Sequence, residues 1–288
     1  MILGPGTTDG NHPGRAVVPV RPHAARGEPA DPETAFPAMF DLNDTLGLWN
    51  GSESERNGPE LLVADLESTA IRDCGLVGRS LIASLREFGC PVDVEDVVPL
   101  LGSPTRVLLA QILATHLAYS LESAFRLAER VEVDFCDRLL GEIEAGGGLP
   151  ATPGAENAFA VLQSEGVRIA LDSALPRRVV DLILARNAWL RSGLVDVAVS
   201  AEEVCAPRPS PELIQHAVRR AIPEGSSRVA KLASCPGDLA AAHSAGCRWI
   251  LAYTRGPSST AALRLQSPTH VIECLGEVSE ALIGRVLR

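Results

Sequence analysis

An aspartate closes a run of four apolar residues in Leu61-Leu62-Val63-Ala64-Asp65, and Leu66-Glu67-Ser68-Thr69 follows at once. A short apolar run bounded by polar residues reads as a buried strand. The end of that strand would carry Asp65 to the carboxyl edge of a sheet, where open α/β folds place their chemistry. A carboxylate held there can attack phosphorus or ligate Mg²⁺. A plain acidic loop after a strand reads the same over so short a stretch. Three later segments add further chemistry. Ser173 follows an apolar run at 169–171, Arg208 lies in Val204-Cys205-Ala206-Pro207-Arg208-Pro209-Ser210-Pro211, and Asp238 follows the strand-like stretch at 229–233. An aspartate, a hydroxyl, a cation and a second aspartate are the groups needed to hold a phosphoryl group and a metal.

Composition narrows the classes open to the chain. A net charge of −10 argues against a nucleic-acid or anionic-membrane surface, both of which need a basic patch. No stretch reaches the ~18 apolar residues of a membrane span, and no apolar core of a secretory signal opens the chain. Hydrophobic residues make up 46% of the 288, enough for a substantial core. The seven cysteines (74, 90, 136, 205, 235, 247 and 274) are odd in number and form no C-x-x-C pair. That pattern suits reduced thiols in the cytoplasm rather than a disulfide frame or a zinc site. Lys231 is the single lysine; the other basic side chains, apart from the histidines, are arginines.

The elements that must position these groups can be read from periodicity. Residues 1–59 carry eight of the 21 prolines without sustained periodicity and read as a disordered or loosely packed extension. Residues 76–148 show only helical patterns: one closing at Gly89, two short segments over 94–101 and 107–113, and a long one over 121–143. From 155 onward helices and strands alternate. The helices fall over 155–165, 177–187, 211–221 and 239–245, and the strands over 167–171, 195–199, 229–233, 248–253 and 270–272. Such alternation predicts a Rossmann-like α/β core, a parallel sheet with helices on both faces. Residues 60–75 and 149–288 would form this core, interrupted after its first strand by an all-α unit at 76–148.

With those residues in place, the chain resembles the haloacid dehalogenase (HAD) superfamily over 60–288, and within it the phosphonoacetaldehyde hydrolase-like branch with a helical cap. Asp65 stands at the nucleophile position, Thr69 closes the first motif, and Gly75-Leu76-Val77 continues it. Ser173 matches the second-motif hydroxyl, and Arg208-Pro209-Ser210-Pro211-Glu212 resembles the third motif. Asn187-Ala188-Trp189 resembles a Leu-Gly-Trp, and Asp238-Leu239 the end of the fourth motif. The resemblance implies an Mg²⁺-dependent hydrolase of a small phosphorylated metabolite that works through an aspartyl-phosphate. Asp65 would be the nucleophile and Glu67 the general acid, with Thr69, Ser173 and Arg208 holding phosphate. Asp65, the Glu67 carbonyl, Asp238 and Ser234 would surround the metal. A homodimer is compatible with this reading.

The departures from the pattern bear on activity. Ser234 stands where the resemblance expects a metal-binding aspartate, and a hydroxyl is a weaker ligand for a hard cation. Glu67 is one methylene longer than an aspartate. Ser68 and Pro207 replace glycines, the first at a turn that would need positive φ. Asp172 would repel phosphate if it turned inward. Thr105, in Gly102-Ser103-Pro104-Thr105-Arg106, stands where the phosphonate-cleaving branch needs a Schiff-base lysine. Arg106 cannot replace it, and Lys231 falls in a core strand, so phosphonoacetaldehyde hydrolysis is rejected. Cys235 and His243 lack the neighbours that would make them nucleophile or ligand. A HAD-fold module that binds a ligand or partner without catalysis is the alternative reading.

Overall fold

The computed structural model describes residues 58–100, 102–146, 149–206 and 208–284. The extension expected over 1–59, except its last two residues, lies outside this range, as does Pro207. Six strands form one parallel sheet: β1 (Leu61–Asp65), β2 (Arg168–Ser173), β3 (Val197–Ser200), β4 (Val229–Ala233), β5 (Trp249–Tyr253) and β6 (His270–Ile272). Their order is β3-β2-β1-β4-β5-β6. The chain therefore winds outward from β1 in one direction and then restarts on its other side at β4. That reversal opens a crevice beyond the carboxyl end of β1.

Every residue of β1 and β4 is buried, as expected of strands covered on both faces. Alternation sends Leu62 and Ala64 to one face, Leu61 and Val63 to the other. The first face packs α5 (Ala155–Ser164), α6 (Arg177–Asn187) and α11 (Glu277–Ile283); the second packs α8 (Glu212–Ala221) and α9 (Pro236–Ser244). Asp65 continues the Leu61–Val63 series, so its side chain belongs to the α8/α9 face.

Between β1 and β2 stand α1 (Leu76–Glu87), α2 (Val94–Val97), α3 (Thr105–Leu117) and α4 (Leu121–Glu144), with no strand among the described residues of 76–148. Ser120 caps α4 by accepting from the Ser123 N–H, and Ala124, Ala128, Val131, Phe135 and Leu139 then repeat at helical spacing on its buried side. These residues join the same apolar cluster as α5, α6 and the sheet face beneath them. The helical unit thus shares a core with the sheet.

Local differences from the periodicity have local causes. Helix α9 begins at Pro236, three residues earlier than the apolar pattern, because proline is favoured in a first turn where its missing N–H costs nothing. Asp238 is consequently inside the first turn, and Cys235 is the cap position. Strand β3 starts two residues later than expected, because the Asp196 carboxylate accepts the Ile169 N–H at 2.7 Å in place of a strand neighbour. Three short helices escaped the sequence pattern: α7 (Trp189–Ser192), α10 (Thr260–Arg264) and α11. At the head of α7, Trp189 is buried edge-on to Phe159 and donates from Nε1 to Glu156 at 2.7 Å.

Candidate active site

The chain leaves β1 through a tight turn over Leu66–Ala70, closed by the Ile71 N–H on the Leu66 carbonyl at 3.0 Å. Ser68 takes the left-handed conformation there, at φ 57°. The turn brings Thr69 back toward its own strand. Its hydroxyl lies 3.3 Å from Asp65 Oδ2 and 3.1 Å from Ser234 Oγ, with all three residues buried. Glu67 goes the other way. Its Oε1 accepts from the Ser173 hydroxyl at 2.6 Å and from the Leu175 N–H at 2.9 Å, while Oε2 is buried without a hydrogen-bond partner. The Ser173 hydroxyl, expected from the sequence to hold phosphate, thus serves a carboxylate of the chain itself.

Behind Asp65 lies a buried cluster of charges. The parallel register sets Asp172 beside Asp65 and Lys231 beside Val63, so all three share the α8/α9 face. Arg208 enters from the loop before α8, and Asp238 from the first turn of α9. Arg208 Nε is 2.8 Å from Asp238 Oδ1, and its Nη2 is 3.3 Å from Asp172 and 3.4 Å from Asp65. Lys231 Nζ reaches past β1 to pair closely with Asp172 and lies 3.7 Å from Asp238. Neither Asp238 oxygen accepts an aligned hydrogen bond. The helical unit also meets the site. The Gly102 carbonyl accepts from Arg208 Nη1 at 3.1 Å, and Thr105 donates to the Ala174 carbonyl at 3.2 Å.

Burial pushes the Asp65 carboxyl well above the usual carboxylate range, and Asp238 adds to this against the pull of Arg208. Burial likewise raises Asp238, against Arg208 and Lys231, and raises Glu67, against the Ser173 hydrogen bond. Burial would raise Asp172 too, but Lys231 and Arg208 outweigh it and hold the group low. Burial would lower Lys231 and Arg208, yet the surrounding aspartates outweigh it and keep both above their ordinary values.

The structure therefore brings Asp65, Thr69, Ser234, Arg208 and Asp238 together, with Glu67 and Ser173 paired on the other side of the Asp65 turn. Two members of the cluster were missed as functional residues. Asp172 does turn inward, and Lys231 meets its charge there. The signal was available: a lone lysine and a strand-end aspartate on strands flanking β1. Cys235 is buried, its thiol pushed up to about 12 by burial and Asp238, which leaves it inert. His243 contacts the Gln266 carbonyl at 2.7 Å through Nε2. Lys231 is fully buried in β4 and beyond reach of an aldehyde substrate, while Arg106 pairs with Glu129 and Glu132 on α4.

Oxygens of Asp65, Asp172 and Asp238 lie within 4.8 Å of one another, a donor set chemically suited to a hard cation. Arg208 already lies against all three, and Lys231 against two. Ser234 is neutral and engaged with Thr69. It is also wedged at Gly256, where a Cβ would fall 2.2 Å from its own. In this arrangement the residues do not fit a resident Mg²⁺.

A narrow cavity of about 50 Å³ opens on Asp65, Glu67, Thr105 and Arg208. A larger one of about 810 Å³ shares Ser68, Asp73 and Pro257 with it, and is lined by apolar residues such as Ile71, Ile82, Val97 and Tyr253, with Arg72, Arg79 and Arg255 among them.

No protein-family model matches the chain. An uncharacterized protein in the fgs 3' region of Lacticaseibacillus casei is 25% identical over 167 residues, 57% of this chain and 71% of that protein. Among solved structures, a hydrolase from Pseudomonas syringae superposes with a TM-score of 0.65 at 15% identity, covering 75% of this chain and 94% of the other. A predicted phosphoglycolate phosphatase from Haemophilus somnus gives 0.60 at 16% identity, covering 77% and 96%. CbbY from Rhodobacter sphaeroides, solved in complex with xylulose-(1,5)bisphosphate, gives 0.58 at 18% identity, covering 76% and 96%. The chain has the fold of the HAD hydrolases, an α/β Rossmann-like core whose first strand leads into a helical insertion. Among the described residues no helix is long and apolar enough to cross a membrane.

Proposed function

We propose that this chain is a HAD-type hydrolase of small phosphomonoesters. The observation that carries the reading is the placement of Asp65 at the carboxyl end of β1. Its carboxylate faces Thr69 on one side and the Arg208 guanidinium on the other, beside a cavity reached by the helical insertion. Asp65, in the carboxylate form that the Arg208 guanidinium favours against burial, would attack phosphorus, and the ester P–O bond would break. Glu67, whose protonated form burial favours against the Ser173 hydrogen bond, would pass a proton to the departing oxygen. Water would then cleave the aspartyl-phosphate, releasing phosphate and restoring Asp65. Arg208 would bear on the phosphoryl oxygens, and Ser173 would do so once Glu67 releases it. Lys231 removes the objection that Asp172 repels phosphate, since the two charges cancel within the fold. The helical insertion would act as a cap that excludes water, and the larger cavity would take the organic part of the ester. The Mg²⁺ that the resemblance implies has no step in this reading, because the donors are already engaged.

The narrow cavity, and Glu67 lying across the Ser173 and Leu175 donors, also favour a second reading: a non-catalytic module that binds an anionic ligand. A panel of phosphomonoesters with and without Mg²⁺ separates the two. Turnover by the wild type that is lost in Asp65→Asn, with the fold intact, supports the hydrolase. No turnover under any condition supports the module.

A further inference from the structure

We infer that Arg208 and Lys231 supply from within the protein the positive charge that a divalent ion would bring to Asp65, Asp172 and Asp238, so that the site has no resident Mg²⁺. The inference rests on the reading of this cluster as the phosphoryl site. By formal charge, three carboxylates and two cations leave the cluster at most one net negative charge, against at most three without the cations. The cations also occupy the space a metal would need. The Arg208 guanidinium lies within 3.4 Å of an oxygen from each aspartate. Lys231 is harder to explain without such a role. It is the one lysine of 288 residues, it is fully buried, and it extends past β1 to reach Asp172 and Asp238. Desolvating an ammonium in a sheet core is costly unless its partners need it. Those partners are two of the three carboxylates that could hold a metal. Ser234, neutral and tied to Thr69, adds no charge that a metal would require.

The test is a calorimetric titration of Mg²⁺ into the full chain, into Lys231→Met, and into Asp172→Asn/Lys231→Met. The wild type should show no saturable Mg²⁺ binding in the millimolar range. Lys231→Met, with one more net negative charge, should gain Mg²⁺ affinity by ~10-fold or more, the scale of metal-site perturbations. The double variant keeps the net charge and should not gain. Saturable wild-type binding at or below millimolar Mg²⁺ overturns the inference, as does an equal gain in both variants. If Lys231→Met does not fold, the wild-type titration decides alone. Turnover is read separately. Activity that needs Mg²⁺ overturns the inference and leaves the hydrolase standing. No activity with or without Mg²⁺, in a protein that binds none, removes the hydrolase and leaves the inference.

Discussion

Two side chains at the Asp65 turn show how a single residue can set the state of the site. Ser68 sits at φ 57°, where an L-residue costs about 1–2 kcal/mol. Ser68→Gly relieves that strain but adds back about 0.5–1 kcal/mol of chain entropy. The expected balance is a gain of about 0.5–1 kcal/mol, seen as a rise of roughly 1–4 °C in melting temperature. An unchanged or lower melting temperature would mean that the turn is not strained. Glu67 holds the Ser173 hydroxyl and the Leu175 N–H, two donors that an anionic ligand would otherwise find free. Glu67→Ala should therefore bind inorganic phosphate more tightly than the wild type in a titration. The same variant should lose about 10²–10⁴-fold in turnover of esters with poor leaving groups, the usual weight of a general acid. Weaker phosphate binding in Glu67→Ala would show that Glu67 orders these donors instead of occupying them.

At the scale of elements, the carboxyl edge of β3 is tied to its neighbours through Glu203. It accepts from the Ser200 N–H at 2.8 Å, from Arg177 at 3.2 Å on α6 and from Arg220 at 3.0 Å on α8, and meets His216 at 3.1 Å. Burial would raise this carboxyl, but the Ser200 N–H, His216 and Arg177 together hold it below the ordinary glutamate value of 4.5. A depressed carboxylate contributes stability above its unfolded value and loses it as pH falls through its folded value. Glu203→Gln should accordingly cost about 1 kcal/mol at neutral pH, by urea unfolding. The gap should begin to narrow as pH falls past about 4.5 and close only below the depressed folded value of the group. A gap constant with pH would assign the loss to packing. The same edge explains why strand boundaries shifted from the sequence pattern. Side chains such as Asp196 and Glu203 take up backbone N–H groups, and hydrophobic periodicity does not register such bonds.

For the molecule as a whole, the charge cluster links β2, β4, the α8 loop and α9 across β1, so its energetics are those of the fold. Breaking one partner of a buried pair strands the other charge and typically costs about 3–5 kcal/mol. Lys231→Met should show a loss of that order in urea unfolding. Asp172→Asn/Lys231→Met, which removes both charges of the closest pair, should recover much of it. Equal losses in the two variants would show that the pair is not the source of the cost.

The order of the strands and of the longer helices, the helical stretch between the first two strands, and the positions of Asp65, Thr69, Ser173, Arg208 and Asp238 were all legible in the amino-acid sequence. Each depends on local periodicity or on a motif a few residues long, and short-range patterns survive in one dimension. The turn at Ser68 was legible for the same reason, since positive φ is a local demand. What Glu67, Asp172, Lys231 and Ser234 do was decided only in three dimensions. Their partners are Ser173, Arg208, Asp238 and Thr69, mostly far away in the chain. Register across β2, β1 and β4 determines which of them share a face. Burial then turns each unpaired charge into a cost that only a specific neighbour can offset. Whether the carboxylates behind Asp65 await a metal or are already neutralised by Arg208 and Lys231 follows from that packing, because it depends on distances between strands that the sequence lists far apart.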